Sequence, residues 1–240
     1  MAFNLAFYYH VPIISENDNL FCPGYLGVFI DALAQEVDEL VLLMYENDFV
    51  QSSDYRLQQQ NISFVSLGKK QPAWKTFFSS KFILEDSINK INHCDTLLVR
   101  APSPLAPFFK KHLKTTKLAY LVVGDYQEVA KTIKFSSLRS LLVKYFLFTN
   151  NFLLKRQLKK NLVVVNSQAL YEKYQNSCNN IYLVNTTTLC DRDFYFRENT
   201  CEDERIDILF TGRISFEKGL KELFHAFKKL TSKFKNLHLN

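Results

Sequence analysis

Short apolar runs, almost uninterrupted by polar residues, recur along the whole chain. They are NLAFYYH at 4–10, ELVLLMY at 39–45, ISFVSL at 62–67, DTLLVR at 95–100, LAYLVV at 118–123, NLVVVNS at 161–167, NIYLVN at 180–185 and IDILFTG at 206–212. A strand with one wet face alternates apolar and polar residues, whereas a strand covered on both faces does not. Between the runs lie longer stretches with helical character, such as SSKFILEDSINKIN and GLKELFHAFKKLTSKF. Strand and helix alternating this often predict an α/β fold built on a parallel sheet.

The rhythm breaks at 186–205, TTTLCDRDFYFRENTCEDER, which is polar, charged and without periodicity. Seven runs precede it, enough for a complete Rossmann-like domain at 1–186. The segment 187–205 is expected to link that domain to the start of a second Rossmann-like domain at 206–240. One strand, one helix and the beginning of another strand in NLHLN are too little sheet to enclose a core. The second domain is therefore expected to be incomplete, either a fragment of a longer chain or an interrupted reading frame.

Composition narrows the class. A hydrophobic share of 47% in 240 residues suits a chain that buries a core and argues against disorder. The net charge of +6 is uneven: 7 basic against 12 acidic residues in 1–100, then 15 against 6 in 101–200. A basic middle segment suits nucleic acid, an anionic membrane or a phosphorylated substrate, or is simply a solvated surface. Five scattered cysteines, none in a Cys-x-x-Cys pair, point to a reducing compartment and away from a disulfide framework or a zinc site. The N-terminus MAFNLAFYYHVPIISENDN lacks a basic start and reads as a first strand, not a signal peptide. No run approaches the ~18 apolar residues of a membrane span.

FTGRISFEKGL, at 210–220, carries the most chemistry. An apolar strand ends in Gly212-Arg213, and a helix is expected to begin near Lys218-Gly219. A helix N-terminus presents unpaired N–H groups and about half a positive charge. Gly212 permits a sharp turn or close approach of a ligand. Arg213 can grip phosphate oxygens through paired hydrogen bonds, while Lys218 serves as a mobile point charge. Together they suit a diphosphate without a metal ion. The competing reading is two exposed cations, one paired with Glu217 for well under ~1 kcal/mol. It is not a Walker loop, since no second glycine precedes the lysine and no Ser or Thr follows it.

ILFTGRISFEKGLKELFHAF resembles, without a gap, the signature that opens the C-terminal domain of family 4 glycosyltransferases, which have the GT-B fold. The resemblance implies that Arg213 and Lys218 hold the donor diphosphate and act catalytically, with Glu217 and Gly219 shaping the turn. FCPGYLGVFIDALAQEVDELVLL resembles the family's first loop and helix, where Gly24, and less well Gly27, would let the backbone approach the donor phosphates. Both are also readable as ordinary turn and packing glycines. NLVVVNSQALYEKY resembles the sixth-strand pattern, in which Ser167 caps the following helix.

Candidate acceptor or sugar contacts are His10 after the first strand, Arg100 ending the fourth, and Asp125 after the fifth. Ser103 is expected to face the same cleft. LVVGDYQ lacks the histidine that family members place near Asp125, and a loop aspartate capping a turn is the alternative there. The family's Glu-x7-Glu segment is absent from the chain. DRD at 191–193 follows TTTLC instead of an apolar strand, so no metal is expected.

The resemblance thus implies a retaining, metal-independent glycosyltransferase. It would move a sugar from a nucleotide-diphosphate donor to a saccharide or lipid-linked acceptor, in cell-surface polysaccharide or lipopolysaccharide synthesis. A truncated, non-catalytic remnant or partner subunit of such an enzyme is the alternative. A nucleic-acid-binding protein is a remote one, since no reader motif appears and no nucleic-acid partner is expected. The expected location is the cytoplasm, peripherally at the inner face of the membrane. The basic aromatic stretch 138–160 suggests weak membrane contact, but its charges scatter around the helical wheel, which predicts a mostly buried helix with a basic end.

Overall fold

The computed structural model describes residues 2–47, 54–132, 138–184, 194–196, 205–212, 214 and 218–240. The chain divides into two compact units, 1–188 and 189–240, each described by itself.

The strands of the first unit are β1 (Asn4–Glu16), β2 (Asn19–Pro23), β3 (Glu39–Glu46), β4 (Asp54–Arg56), β5 (Ile62–Lys69), β6 (Thr96–Ala101), β7 (Lys117–Val122), β8 (Leu162–Val165) and β9 (Asn180–Leu183). Its helices are α1 (Gly24–Gln35), α2 (Ala73–Phe78), α3 (Ser80–Asn89), α4 (Tyr126–Thr132), α5 (Leu138–Leu158) and α6 (Gln168–Tyr174). All seven apolar runs before residue 186 become strands, and all of these pair in parallel in the order β5-β3-β1-β6-β7-β8-β9. From β1 the chain first builds outward to β3 and β5, then returns to β6 on the other side. That is the order of a doubly wound, Rossmann-like sheet, with its switch point between β1 and β6.

The core lies on both faces, which explains the unbroken apolar runs. Leu5, Phe7, Leu40, Leu42 and Met44 pack against Leu26, Ile30 and Ala34 of α1. Their strand neighbours Ala6, Tyr8, Val41, Leu43, Leu97 and Val99 pack on the opposite face with Leu84 and Ile88 of α3, Leu154 and Leu158 of α5, and Leu170 of α6. The period-two alternation is present, but it sorts residues between two buried layers instead of between core and water.

Two strands are absent from the sequence reading. β1 continues past the predicted run to Glu16, turns at Asn17 and Asp18 (φ 49° and 62°), and returns antiparallel as β2, with Glu16 opposite Asn19. Two left-handed residues in succession make the tight hairpin turn that matches strand twist, and Asn and Asp tolerate that conformation best after glycine. β4 extends this ribbon, pairing antiparallel with β2. The buried carboxylate of Asp31 in α1 latches β4 and the segment after it by accepting from Tyr55 Oη at 2.7 Å and the Gln58 N–H at 3.0 Å. The Tyr55 ring lies directly over Gly27, where a Cβ would come within 2.2 Å of it. Gly27 is thus a packing glycine.

α5 departs from the expectation of a mostly buried helix. Leu147, Asn150, Asn151, Leu154 and Leu158 are buried, but Leu141, Tyr145, Phe148 and Phe152 face solvent. The helix is apolar on two sides, so a wheel projection separates no single face.

The second unit holds β10 (Ile206–Ile208), α7 (Leu220–Thr231) and β11 (Leu237–Leu239). β10 and β11 pair in parallel, Ile206 opposite Leu237 and Ile208 opposite Leu239. Strand, helix and parallel strand follow one another as the sequence predicts.

Candidate functional site

In open parallel sheets ligands bind beyond the carboxyl ends of the strands, at the switch point. The residues there are Tyr9 and His10 of β1 and Arg100 of β6. Because Tyr8 pairs with Val99 in register, Tyr9 and Arg100 sit side by side on the α1 face. The Arg100 guanidinium carbon lies 4.0 Å from the centre of the Tyr9 ring, a cation–π arrangement. His10 meets the same ring edge-on, centroids 4.9 Å apart and planes at 86°. Two of the sequence candidates, His10 and Arg100, are thereby joined through a residue, Tyr9, that sequence reasoning passed over.

Electrostatics follow from burial. The His10 ring is held neutral, its pKa pushed down to about 4, first by burial and then by the charges of Arg100 and Lys70. Its Nδ1 is out of contact with solvent and has no hydrogen-bond partner. Such an atom is costly to leave unsatisfied. Burial also pushes the Tyr9 hydroxyl up to about 12, against the opposing pull of Arg100. It pulls Arg100 below its ordinary value, while Tyr9 and Tyr25 favour its charge. Among the described residues no carboxylate pairs with Arg100. The corner therefore offers an unneutralised cation, a neutral imidazole and an aromatic platform, a set suited to hydroxyl or anionic oxygen atoms.

Gly24 opens α1, whose N-cap Pro23 supplies no side-chain hydrogen bond, and nothing lies within 4 Å of where its Cβ would stand. No packing demand explains this glycine, in contrast to Gly27. Tyr25, next to it, is close enough to act electrostatically on both Tyr9 and Arg100. The beginning of α1 thus borders the same corner.

Asp125 stands after β7, two strands from β1, and is otherwise engaged. One carboxylate oxygen accepts the Gln127 N–H at 2.7 Å at the start of α4. The other is gripped by Lys173 of α6. Ser103, expected to face the cleft, is fully buried. Its Oγ accepts the Ala106 N–H at 3.2 Å and its carbonyl accepts from Asn150. The apolar wall around the loop after β6 turns it inward. Ser167 caps α6 as predicted, its Oγ accepting the Leu170 N–H at 3.4 Å.

In the second unit, Gly212 and Lys218 are exposed between β10 and α7. Arg213 and Glu217 lie outside the described residues. Gly219 is the N-cap of α7 and adopts the left-handed conformation, φ 68° and ψ 23°, which a glycine takes at least cost. Lys218 therefore stands immediately before the helix, beside its free N–H groups.

Among the described residues no three His, Cys, Asp or Glu side chains gather as a metal site; the DRD segment at 191–193 lies outside them. Cys22, Cys94 and Cys178 are buried and unbonded. Compared with known proteins, the chain matches no family model, and a search of curated proteins finds no match.

Proposed function

We propose that the chain is a glycosyltransferase of the GT-B type, similar to family 4, that moves a sugar from a nucleotide-diphosphate donor to a saccharide or lipid-linked acceptor. The observation that carries this reading is the turn after β10: Gly-Arg, then Lys218 exposed directly before a left-handed Gly219 that opens α7. A guanidinium and an ammonium carried five residues apart on the approach to a helix N-terminus suit a diphosphate. As the sugar–phosphate bond breaks, negative charge gathers on the departing diphosphate. Arg213 and Lys218 stabilise that charge more strongly than they stabilise the intact donor, and that difference lowers the barrier. The reaction needs no metal ion in this scheme, because the two cations take its electrostatic role.

The switch-point corner of the first unit is assigned to the acceptor. Arg100, steadied on Tyr9, binds acceptor oxygen atoms, with the partly exposed ring of neutral His10 beside it. Asp125, whose two oxygens hold α4 and Lys173, positions the neighbouring loop. The place of action is the cytoplasm, in cell-surface polysaccharide or lipopolysaccharide synthesis.

The test is a panel of UDP- and GDP-sugars incubated with the chain and candidate saccharide or lipid-linked acceptors, followed by product analysis. Transfer with the donor's anomeric configuration retained supports the reading. Donor binding without transfer favours the non-catalytic alternative, and absence of any nucleotide-sugar binding contradicts both.

A further inference from the structure

The outer surface of the helical layer formed by α2, α3 and α5 carries two stripes of exposed rings. Trp74, Phe78 and Phe82 follow one another at intervals of four along α2 and into α3, and Phe78 and Phe82 are 75% and 78% exposed. Trp74 and Phe78 share one side of α2, and Phe82 follows across the break at Ser79. On α5, Leu141, Tyr145, Phe148 and Phe152 recur at intervals of four, three and four, again on one side, with Tyr145 70% exposed. The stripes adjoin. Phe77 of α2 packs against Phe146 of α5 at 5.3 Å between centroids, and Phe78 lies 5.5 Å from Phe77. Patches of this kind on a soluble domain mark interaction sites.

Charge selects the occupant. No Asp or Glu occurs between Glu128 and Glu172, while eight Lys and Arg do. Arg156 lies over the exposed Phe152 ring at 4.9 Å, and Lys159 continues the α5 stripe. Lys75 and Lys81 flank the α2–α3 stripe, and the nearest acids along it, Glu85 and Asp86, come beyond Phe82. Aromatic rings among cations are the composition of a surface that seats in anionic headgroups. A second copy would present the same cations and be repelled. Among the described residues no helix is long and apolar enough to cross a membrane, so the contact is peripheral.

We propose that this face of α2, α3 and α5 docks the protein on an anionic lipid surface. The inference is independent of sugar transfer and needs no nucleotide. Trp74 is the only tryptophan of the chain and reports on the face directly. With vesicles of phosphatidylcholine containing about one third phosphatidylglycerol, its emission should shift to the blue and the protein should co-sediment, far less so with phosphatidylcholine alone. Added salt should weaken the binding. Arg156→Gln and Lys159→Gln should each weaken it about fivefold. The triple variant Phe78→Ser/Phe82→Ser/Tyr145→Ser, at positions that support no core, should weaken it more than tenfold while leaving circular dichroism and the melting curve unchanged. Absence of binding and of a Trp74 shift at low salt would overturn the proposal. So would vesicle binding indifferent to the triple variant, or a protein dimer that the triple variant dissolves in place of lipid binding.

Discussion

Lys173 of α6 grips the carboxylate of Asp125, whose other oxygen accepts the Gln127 N–H at 2.7 Å and so starts α4. One side chain thereby ties the turn after β7 to two helices. Asp125 is 4% exposed and Lys173 28%, so the pair is shielded on one side only. Asp125→Ala removes a helix cap and leaves a partly buried ammonium with only its longer contact to Glu128, at 3.7 Å, and should cost about 1 to 2 kcal/mol in chemical denaturation. Asp125→Asn, which retains an acceptor for the Gln127 N–H, should cost less. Equal stability of Asp125→Ala and the wild type would mean that the pair does not hold this turn.

His10 makes stability depend on pH. Its native pKa lies near 4, against an ordinary value of 6.5. Between those values the unfolded chain binds the proton that the native protein refuses, so stability falls as pH drops from 6.5 toward 4. The loss attributable to this residue approaches about 3 kcal/mol. Urea denaturation at pH 7 and pH 4.5 should therefore show a steeper decline for the wild type than for His10→Gln. Parallel declines would contradict a buried, neutral His10.

Gly27 and Tyr55 form a steric pair. A Cβ on residue 27 would sit 2.2 Å from the Tyr55 ring, so Gly27→Ala should destabilise by about 1 to 3 kcal/mol. Tyr55→Ala removes both the obstacle and the hydrogen bond to Asp31. In the double variant the two costs should fall short of additive by at least about 0.5 kcal/mol. Strict additivity would show that ring and glycine do not touch.

Arg100 should matter to the acceptor more than to the donor. Losing a charged donor to acceptor oxygens corresponds to about 1.5 to 3 kcal/mol, so Arg100→Met should raise the acceptor KM by about tenfold or more. Arg100→Lys should rescue little, because a lysine does not keep the planar stack on Tyr9. Nucleotide affinity should be unchanged in both. A change in nucleotide affinity with acceptor KM constant would move Arg100 to the donor side.

The parallel sheet was legible in the chain because strands buried on both faces leave long apolar runs, and every such run before residue 186 is a strand. The β1–β2 hairpin was not, since its turn is built by Asn17 and Asp18 without a glycine, and a proline interrupts β1 at Pro12. The Ser167 cap was readable because it acts within one turn of chain. The meeting of Tyr9 with Arg100 was not, since it depends on which strands become neighbours, and β1 and β6 are separated by four other strands in sequence. The aromatic stripe of α5 escaped for a different reason: a second, buried apolar side cancels it in any projection around the helix.

The diphosphate pocket is the claim on which the functional reading rests, and calorimetric titration of UDP and GDP into the chain tests it most directly. One of the two nucleotides should bind, and Arg213→Ala/Lys218→Ala should weaken it by more than tenfold while the melting temperature stays within a few degrees of wild type. Affinity that survives removal of both cations, or no affinity for either nucleotide in the unmodified chain, would contradict the account.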